Sequence, residues 1–283
     1  MNIIFYESSG LTKSKNLERM AKAIGAKYRT YDYFLNHGLD NATYHVVQGI
    51  LGPSTHIIRE AQRSNKKFIY LDYGYFKTRH PRDRWYRVHV NKFHGAQWYN
   101  WGLVRRKNFR KFDRMCLKEW KEWTKKGDHI LVCPPTPAVT EFFNQHTWLD
   151  NTLAQLKTYT DRPIVVRHKP HAVNVHWETQ CLVNSKTVTE HEEKMPLKDQ
   201  LENCWAMVTY NSVTAIDAVY AGVPVFSGPE CITHLLGNTN LVNIENPVYN
   251  SQAPFFWSTA EFQYSKSELF NAMTWEDIIR QGG

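Results

Sequence analysis

Short apolar runs alternate with stretches of helical period along these 283 residues, and that rhythm constrains the fold more than any other feature. NIIFYE reads as a strand, LERMAKAIGA as a helix stopping near Gly25, YHVVQGI as a strand, THIIREAQRS as a helix and KFIYLDYGYF as a strand running into a loop. The order restarts at HILVCPP. WLDNTLAQLKTY follows as a helix, PIVVRHKP as a strand, PLKDQLENC as a helix, and VTYNSVTAIDAVYAGVPVFSG as strand, polar turn, helix and strand. Repeated βαβ units bury a mostly parallel sheet under helices, so the fold class is α/β. Two such halves meeting near Gly127 predict two Rossmann-like domains with a cleft between them. The expected division is 1–126, 127–257, and a closing helix within 258–283 carried by SKSELFNAMTWEDIIRQ.

A hydrophobic content of 42% is enough to bury a core at this length. No run approaches the ~18 apolar residues of a membrane span. The opening MNIIFYESSG lacks a basic region followed by a signal-peptide core, so a soluble cytoplasmic protein is expected. Cys116, Cys133, Cys181, Cys204 and Cys231 are odd in number, widely spaced and without a C-x-x-C pair. That pattern speaks against a disulfide framework and a cysteine zinc site.

The net charge of +8 is localised. From Lys77 to Lys126 there are 16 Lys and Arg against 4 Asp and Glu, leaving 19 against 23 elsewhere. The same segment holds Trp85, Trp98, Trp101, Trp120 and Trp123, half of the ten tryptophans. Cations interleaved with aromatic rings suit a surface that binds a polyanion and stacks its bases. Arg105, Arg106, Lys107, Arg110 and Lys111 are the candidate phosphate contacts, with Trp98 and Trp101 as stacking platforms. Over 112–126 the reading is instead a solvated helix with its tryptophans turned to the core: Phe112, Cys116, Trp120 and Trp123 fall on one side at helical spacing, and Gly127 stops the run.

In open α/β sheets ligands bind beyond the carboxyl ends of strands. Two polar clusters of the second half fall there: RHKPHAV, Arg167 to Val173, and YNSVT, which ends a strand and begins a helix. Backbone N–H groups at such a helix start attract a phosphate. Asp217, one turn in, is placed to hold a ribose hydroxyl. Plain capping uses the same residues, with Ser212 or Thr214 as N-cap, Asp217 in the first turn, Gly222 closing the helix and Pro224 opening the next strand. His168, His171 and His176 lack helical i, i+4 spacing and are interrupted by a proline, so no metal site is expected there. Neither G-x-G-x-x-G nor a Walker lysine motif occurs, which argues against a dehydrogenase or P-loop enzyme.

Taken in order, these residues resemble the capsule-polysaccharide Kdo transferases and their relatives, glycosyltransferases of GT-B architecture. The family's Lys-Pro-His-Pro strand end is similar to KPHA at Lys169 to Ala172, its Ser-Ser/Thr-Thr turn to NSVT at Asn211 to Thr214, and its Glu-Ala-Leu helix to IDAV at Ile216 to Val219. Its Gly-x-Pro-Val is similar to AGVPV, and its Glu-Asp-Gly-Phe-Leu-Arg strand end to LDYGYFKTR, Leu71 to Arg79, with YRVHVN as the strand after it. The likeness covers about Val46 to Pro229. Three positions depart: Ala172 stands for the second proline, Asp217 for the glutamate, and Tyr73 where the resemblance places the catalytic aspartate.

The resemblance implies a GT-B enzyme with an acceptor-binding first domain and a nucleotide-sugar-binding second. His171 and Lys169 would contact the donor phosphates, joined by Ser212 and Thr214 from the neighbouring strand end. Glycosyl transfer needs a group to take the acceptor's proton, and Asp72 is the strand-end carboxylate for it, with His80 and His94 as alternatives. No cofactor is expected beyond the nucleotide-sugar co-substrate, and no metal. Three functions fit: a transferase acting on hydroxymethylated bases of DNA, as some viruses make; a capsule or lipopolysaccharide sugar transferase; and a non-catalytic nucleic-acid-binding protein. The concentrated positive segment favours the first.

Overall fold

The structure, a computed structural model, describes residues 2–76, 85–94, 115, 120–169, 188–190 and 195–282. Two compact units form. One holds Met1–Gly95 and Trp257–Gly283, the other Lys118–Phe256.

In the first unit the chain runs through β1 (Ile3–Tyr6), α1 (Leu11–Ala23), β2 (Lys27–Arg29), α2 (Tyr31–His37), β3 (Tyr44–Gln48), α3 (Pro53–Arg63), β4 (Lys67–Tyr73) and β5 (Trp85–Val90). β1 is buried throughout, as a strand covered on both faces must be, and its apolar run IIFY meets that demand. Leu17, Met20 and Ala21 recur at helical spacing along α1 and bury against Ile3, Phe5 and Val46. Ile57, Ile58 and Ala61 form the buried face of α3.

The second unit contains β6 (His129–Cys133), α4 (Pro137–Phe143), α5 (Trp148–Tyr159), β7 (Ile164–Val166), β8 (Val188–Glu190), α6 (Leu197–Gln200), β9 (Cys204–Thr209), α7 (Thr214–Tyr220) and β10 (Val225–Ser227). Its five strands are all parallel, in the order β10-β9-β6-β7-β8. Ile130, Val132, Val166, Ala206, Val208 and Phe226 build its core with Leu153 and Leu156 of α5.

The chain then returns through α8 (Gln252–Glu261), β11 (Gln263–Ser265) and α9 (Ala272–Gly282). β11 pairs antiparallel with β5, completing a sheet ordered β11-β5-β4-β3-β1-β2 in the first unit. Trp275 of α9 is fully buried, edge-on to Phe5 at 4.9 Å, and its Nε1–H donates to Leu269 O at 2.9 Å. The α/β class with two Rossmann-like domains is what the strand and helix rhythm predicts.

Three local expectations are corrected. The segment expected as one closing helix contains a strand and a 3-10 turn before α9, because the open edge of β5 takes Gln263–Ser265 as its pairing partner. The helix expected over PLKDQLENC is a single turn, α6, since Asn203 turns the chain at φ 57° and β9 begins at Cys204. Within the expected helix 112–126, residues 120–126 are non-helical. There Lys121 N–H donates to Tyr220 O (2.9 Å) and Thr124 N–H to Gly222 O (2.7 Å). Trp120 packs on Phe256, and Trp123 Nε1–H donates to Asn250 O. These tertiary partners replace the intrahelical bonds, and helical propensity is too weak a preference to resist them. Gly222 permits the approach: at φ +77°, a Cβ there would lie 2.2 Å from Glu122 O.

Candidate functional site

Strand order locates the candidate site of the second unit. From β6 the chain steps outward through β7 and β8, then returns to the other side of β6 for β9 and β10. The carboxyl ends of β6 and β9 are therefore the point where the winding reverses, the place where α/β sheets take ligands. Thr209 ends β9 and donates its hydroxyl to Cys133 O at the end of β6 (2.7 Å). The same Oγ1 accepts Ser212 N–H (3.3 Å). Ser212 and Thr214 hydroxyls lie 2.7 Å apart, and Thr214 N–H donates to Ser212 Oγ (3.3 Å). Both residues are partly exposed.

Capping takes a different form from the one expected. Val213 occupies the N-cap position of α7 and no side chain caps the helix. With only seven residues, α7 adds little dipole, so the hydroxyls are the principal polar groups here. Asp217 lies half-buried in the first turn. Burial pushes the Cys133 thiol up to about 12, against the opposing influence of Arg167 and the Thr214 hydroxyl, so it is no thiolate nucleophile.

Lys169 is exposed three residues beyond β7. β6 lies between β7 and β9, so the two strand ends are about 10 Å apart at ordinary strand spacing. Arg167, just past β7, is committed to Met195 O (2.7 Å) and Gln200 Oε1 (2.6 Å). His171, expected to complete this cluster, lies outside the described residues, as do His80, Trp98, Trp101, Arg105, Arg106, Lys107, Arg110 and Lys111.

In the first unit, antiparallel register sets Asp72 of β4 opposite Arg87 of β5. Arg87 is buried and its Nη2 reaches Asp72 Oδ2 at 2.9 Å. Tyr70 OH donates to the same oxygen (2.8 Å) and Tyr73 N–H to Oδ1 (2.8 Å). Three donors thus converge on the carboxylate proposed as base. His94, an alternative base in the sequence reading, has a different setting. It is buried, its Nδ1 is 2.9 Å from Tyr75 OH, and burial, with Arg87 and His89 nearby, holds its pKa well below the usual imidazole range. His89 beside it is pushed down to about 3 by burial, reinforced by Arg87 and Lys92.

One polar group went unnoticed in the sequence. Gln48, the last residue of β3, is fully buried, and both its Nε2 and Oε1 lack a hydrogen-bond partner. The signal available was an amide closing a short strand after two valines, Val46 and Val47.

Among the described residues no three His, Cys, Asp or Glu side chains gather as a metal site, and no helix is long and apolar enough to cross a membrane.

The sequence matches no protein-family model and no curated protein. The structure is similar to the β-Kdo 2,4 transferase of Thermosulfurimonas dismutans KpsC, at 12% identity over 96% of this chain and 98% of that one, with a TM-score of 0.51. It is also similar to the β-Kdo 2,7 transferase of the same protein, at 12% identity over 99% and 100%, with a TM-score of 0.52. The likeness shows the fold: two Rossmann-like domains in the GT-B arrangement of chain.

Proposed function

We propose that the protein is a glycosyltransferase that moves a sugar from a nucleotide-sugar to an acceptor hydroxyl of a glycan. The hydroxyl cluster of Thr209, Ser212 and Thr214 at the winding reversal of an all-parallel sheet carries this reading. Hydroxyl donors aimed at a diphosphate are worth most as the leaving group gains charge, which is when they accelerate transfer. Lys169 and His171 would add charge at the neighbouring strand end. The proton acceptor is Asp72 or His80: for Asp72 to act it must exchange one of its three donors for the acceptor hydroxyl. The transfer is proposed to need no metal, so EDTA should leave its rate unchanged.

A glycan acceptor is preferred to DNA on two grounds. Two structures of like fold are described as Kdo transferases. Two tryptophans of the basic segment, Trp120 and Trp123, are engaged with Phe256 and Asn250 O and are unsuited to stacking bases. The positive balance of 77–126 favours hydroxymethylated DNA as the second reading.

The test offers a panel of nucleotide sugars, a Kdo nucleotide included, with a Kdo-terminated oligosaccharide or hydroxymethylated DNA, and weighs the products. Mass gain on the oligosaccharide is expected. Gain on DNA alone would move the acceptor to the second reading, and gain on neither would overturn transfer. Joint replacement Ser212→Ala and Thr214→Val should lower transfer by roughly 10²-fold with folding retained.

A further inference from the structure

The first unit has its own winding reversal. From β1 the chain steps to β2 on one side, then crosses to β3 and β4 on the other, so the carboxyl ends of β1 and β3 flank the reversal. The groups gathered there are hydrogen-bond donors. Helix α1, thirteen residues long, begins beside it with Gly10 at the N-cap, so no N-cap side chain takes its first-turn N–H groups, which have no intrahelical acceptor. Helix α3 begins next to it with Gly52 at the N-cap, likewise uncapped by a side chain. The two turns touch: a Cβ on Gly52 would lie 3.6 Å from Ser9 Cβ. Lys13 Nζ reaches the turn after β3, 3.1 Å from where a Cβ of Gly49 would stand.

Gln48 supplies an independent pointer. Pleat alternation puts its side chain on the same face as Val46, which packs against Leu17 and Met20 of α1. At the carboxyl end of β3 that face lies under the first turn of α1. There the amide is fully buried with neither polar atom paired. Buried amides are nearly always satisfied, so an unpaired one at the strand end that Lys13 reaches marks a missing partner. The surrounding hydroxyls are not that partner. Ser8 Oγ and Ser54 Oγ both donate to the Gln48 backbone carbonyl, the latter at 3.1 Å, and Ser14 Oγ donates to Ser8 O (2.8 Å). Glu7, next to Ser8 in the chain, is turned away to accept Tyr31 N–H at 2.7 Å.

We propose that the carboxyl ends of β1 and β3 form a binding site for an oxyanion, a phosphate or carboxylate group of a small ligand. The Gln48 amide and the Lys13 ammonium would hold it, with the first-turn N–H groups of α1 beside them. The inference rests on the geometry of the first unit and stands apart from sugar transfer.

Titration calorimetry on the full chain tests it, with inorganic phosphate, glucose 6-phosphate and glucuronate as probes and glucose as neutral control. Saturable binding of at least one anionic probe, and none of glucose, is expected. Lys13→Ala should weaken that binding by about tenfold or more, the effect of losing one charge-assisted hydrogen bond. Gln48→Met should remove it while the melting temperature holds or rises, because the variant deletes an unpaired buried amide. Both effects should persist in the Ser212→Ala, Thr214→Val background, which excludes phosphate bound at the second unit. Preference for glucose 6-phosphate identifies a phosphate ester and preference for glucuronate a sugar acid, and either upholds the site. No heat with any anion, or binding unchanged by Lys13→Ala, overturns it, and the lysine result decides even if Gln48→Met fails to fold.

Discussion

The ends of β1 and β3 in the first unit and of β6 and β9 in the second are laced by the same bond. Ser8 Oγ donates to the carbonyl of Gln48, the last residue of β3, and Thr209 Oγ1 donates to the carbonyl of Cys133, the last residue of β6. What lies under the bond differs. The first unit places an unpaired amide beneath it, and on β4, β5 and the residues just past them a buried set of Arg87, Tyr70, Tyr75, His89 and His94. The second places a buried thiol there and lines its sheet with aliphatic side chains. Parallel strands covered on both faces are ordinarily apolar, and the second unit follows that rule; the polar set of the first unit lies where β5 joins the sheet antiparallel, outside the rule's reach. Buried polar groups tie stability to pH and to partner identity in a way that aliphatic cores do not.

The sharpest way to break this comparison is acid. Burial holds His45 at about 4 and His89 at about 3, with His94 well below its usual 6.5, and these buried histidines of the described residues all lie in the first unit. Each stays neutral when folded but takes a proton when unfolded once the pH drops below about 6.5. The unfolded state then binds more protons, so stability is intact above pH 6.5 and falls as pH drops towards the folded values. The slope is up to about 1.4 kcal/mol per pH unit for each histidine, or about 4 kcal/mol per unit for three. Hydrogen exchange between pH 6.5 and 4.5 should show β1, β3, β4 and β5 losing protection ahead of β6 and β9. Equal loss in both units would refute the contrast.

Next in size is the ion pair. Asp72→Ala leaves the guanidinium of Arg87 buried without its carboxylate, a change that costs about 3–5 kcal/mol when a buried pair is broken. Thermal unfolding should show the loss. Asp72→Asn keeps an acceptor for Tyr70 and the Arg87 fork and should cost less. Activity separates the two roles. If Asp72 takes the acceptor's proton, Asp72→Asn abolishes transfer in a protein that still folds. If it serves only to position Arg87, transfer survives.

These features differ in how far the sequence could show them. Elements such as α3 and β4 declare themselves, since α3 carries its apolar residues on one face at helical spacing and β4 holds a short unbroken apolar run. β2 and β11 have three residues each and exist because a neighbouring strand offers an open edge, β11 pairing with residues some 180 positions earlier. No local pattern encodes that. The same holds for sites. Ser212 and Thr214 stand out as polar residues in an apolar stretch. The engagement of Asp72, by contrast, depends on a register that sets residue 72 against residue 87, and the burial of His94 on its contact with Tyr75. The open amide of Gln48 is visible only once every partner around it has been placed.

The smallest effect sharpens the comparison most finely. Thr209 is buried, and its hydroxyl both donates to Cys133 O and accepts Ser212 N–H. Thr209→Val preserves shape and β-branching, so the strand should remain; what disappears is the tie between the ends of β6 and β9 and the anchor of the turn carrying Ser212. Loss of a neutral hydrogen bond costs about 1 kcal/mol, a shift of a few degrees in melting temperature. If the turn is held for chemistry, transfer should fall by more than this stability change accounts for, because Ser212 and Thr214 are no longer fixed against the leaving group. Thr209→Ser retains the hydroxyl and should rescue the rate while losing a methyl group from the packing. Ser8→Ala makes the matching cut in the first unit and should weaken anion binding there while leaving donor affinity unchanged. Transfer lost in step with stability in both valine and serine variants would make Thr209 a packing residue alone.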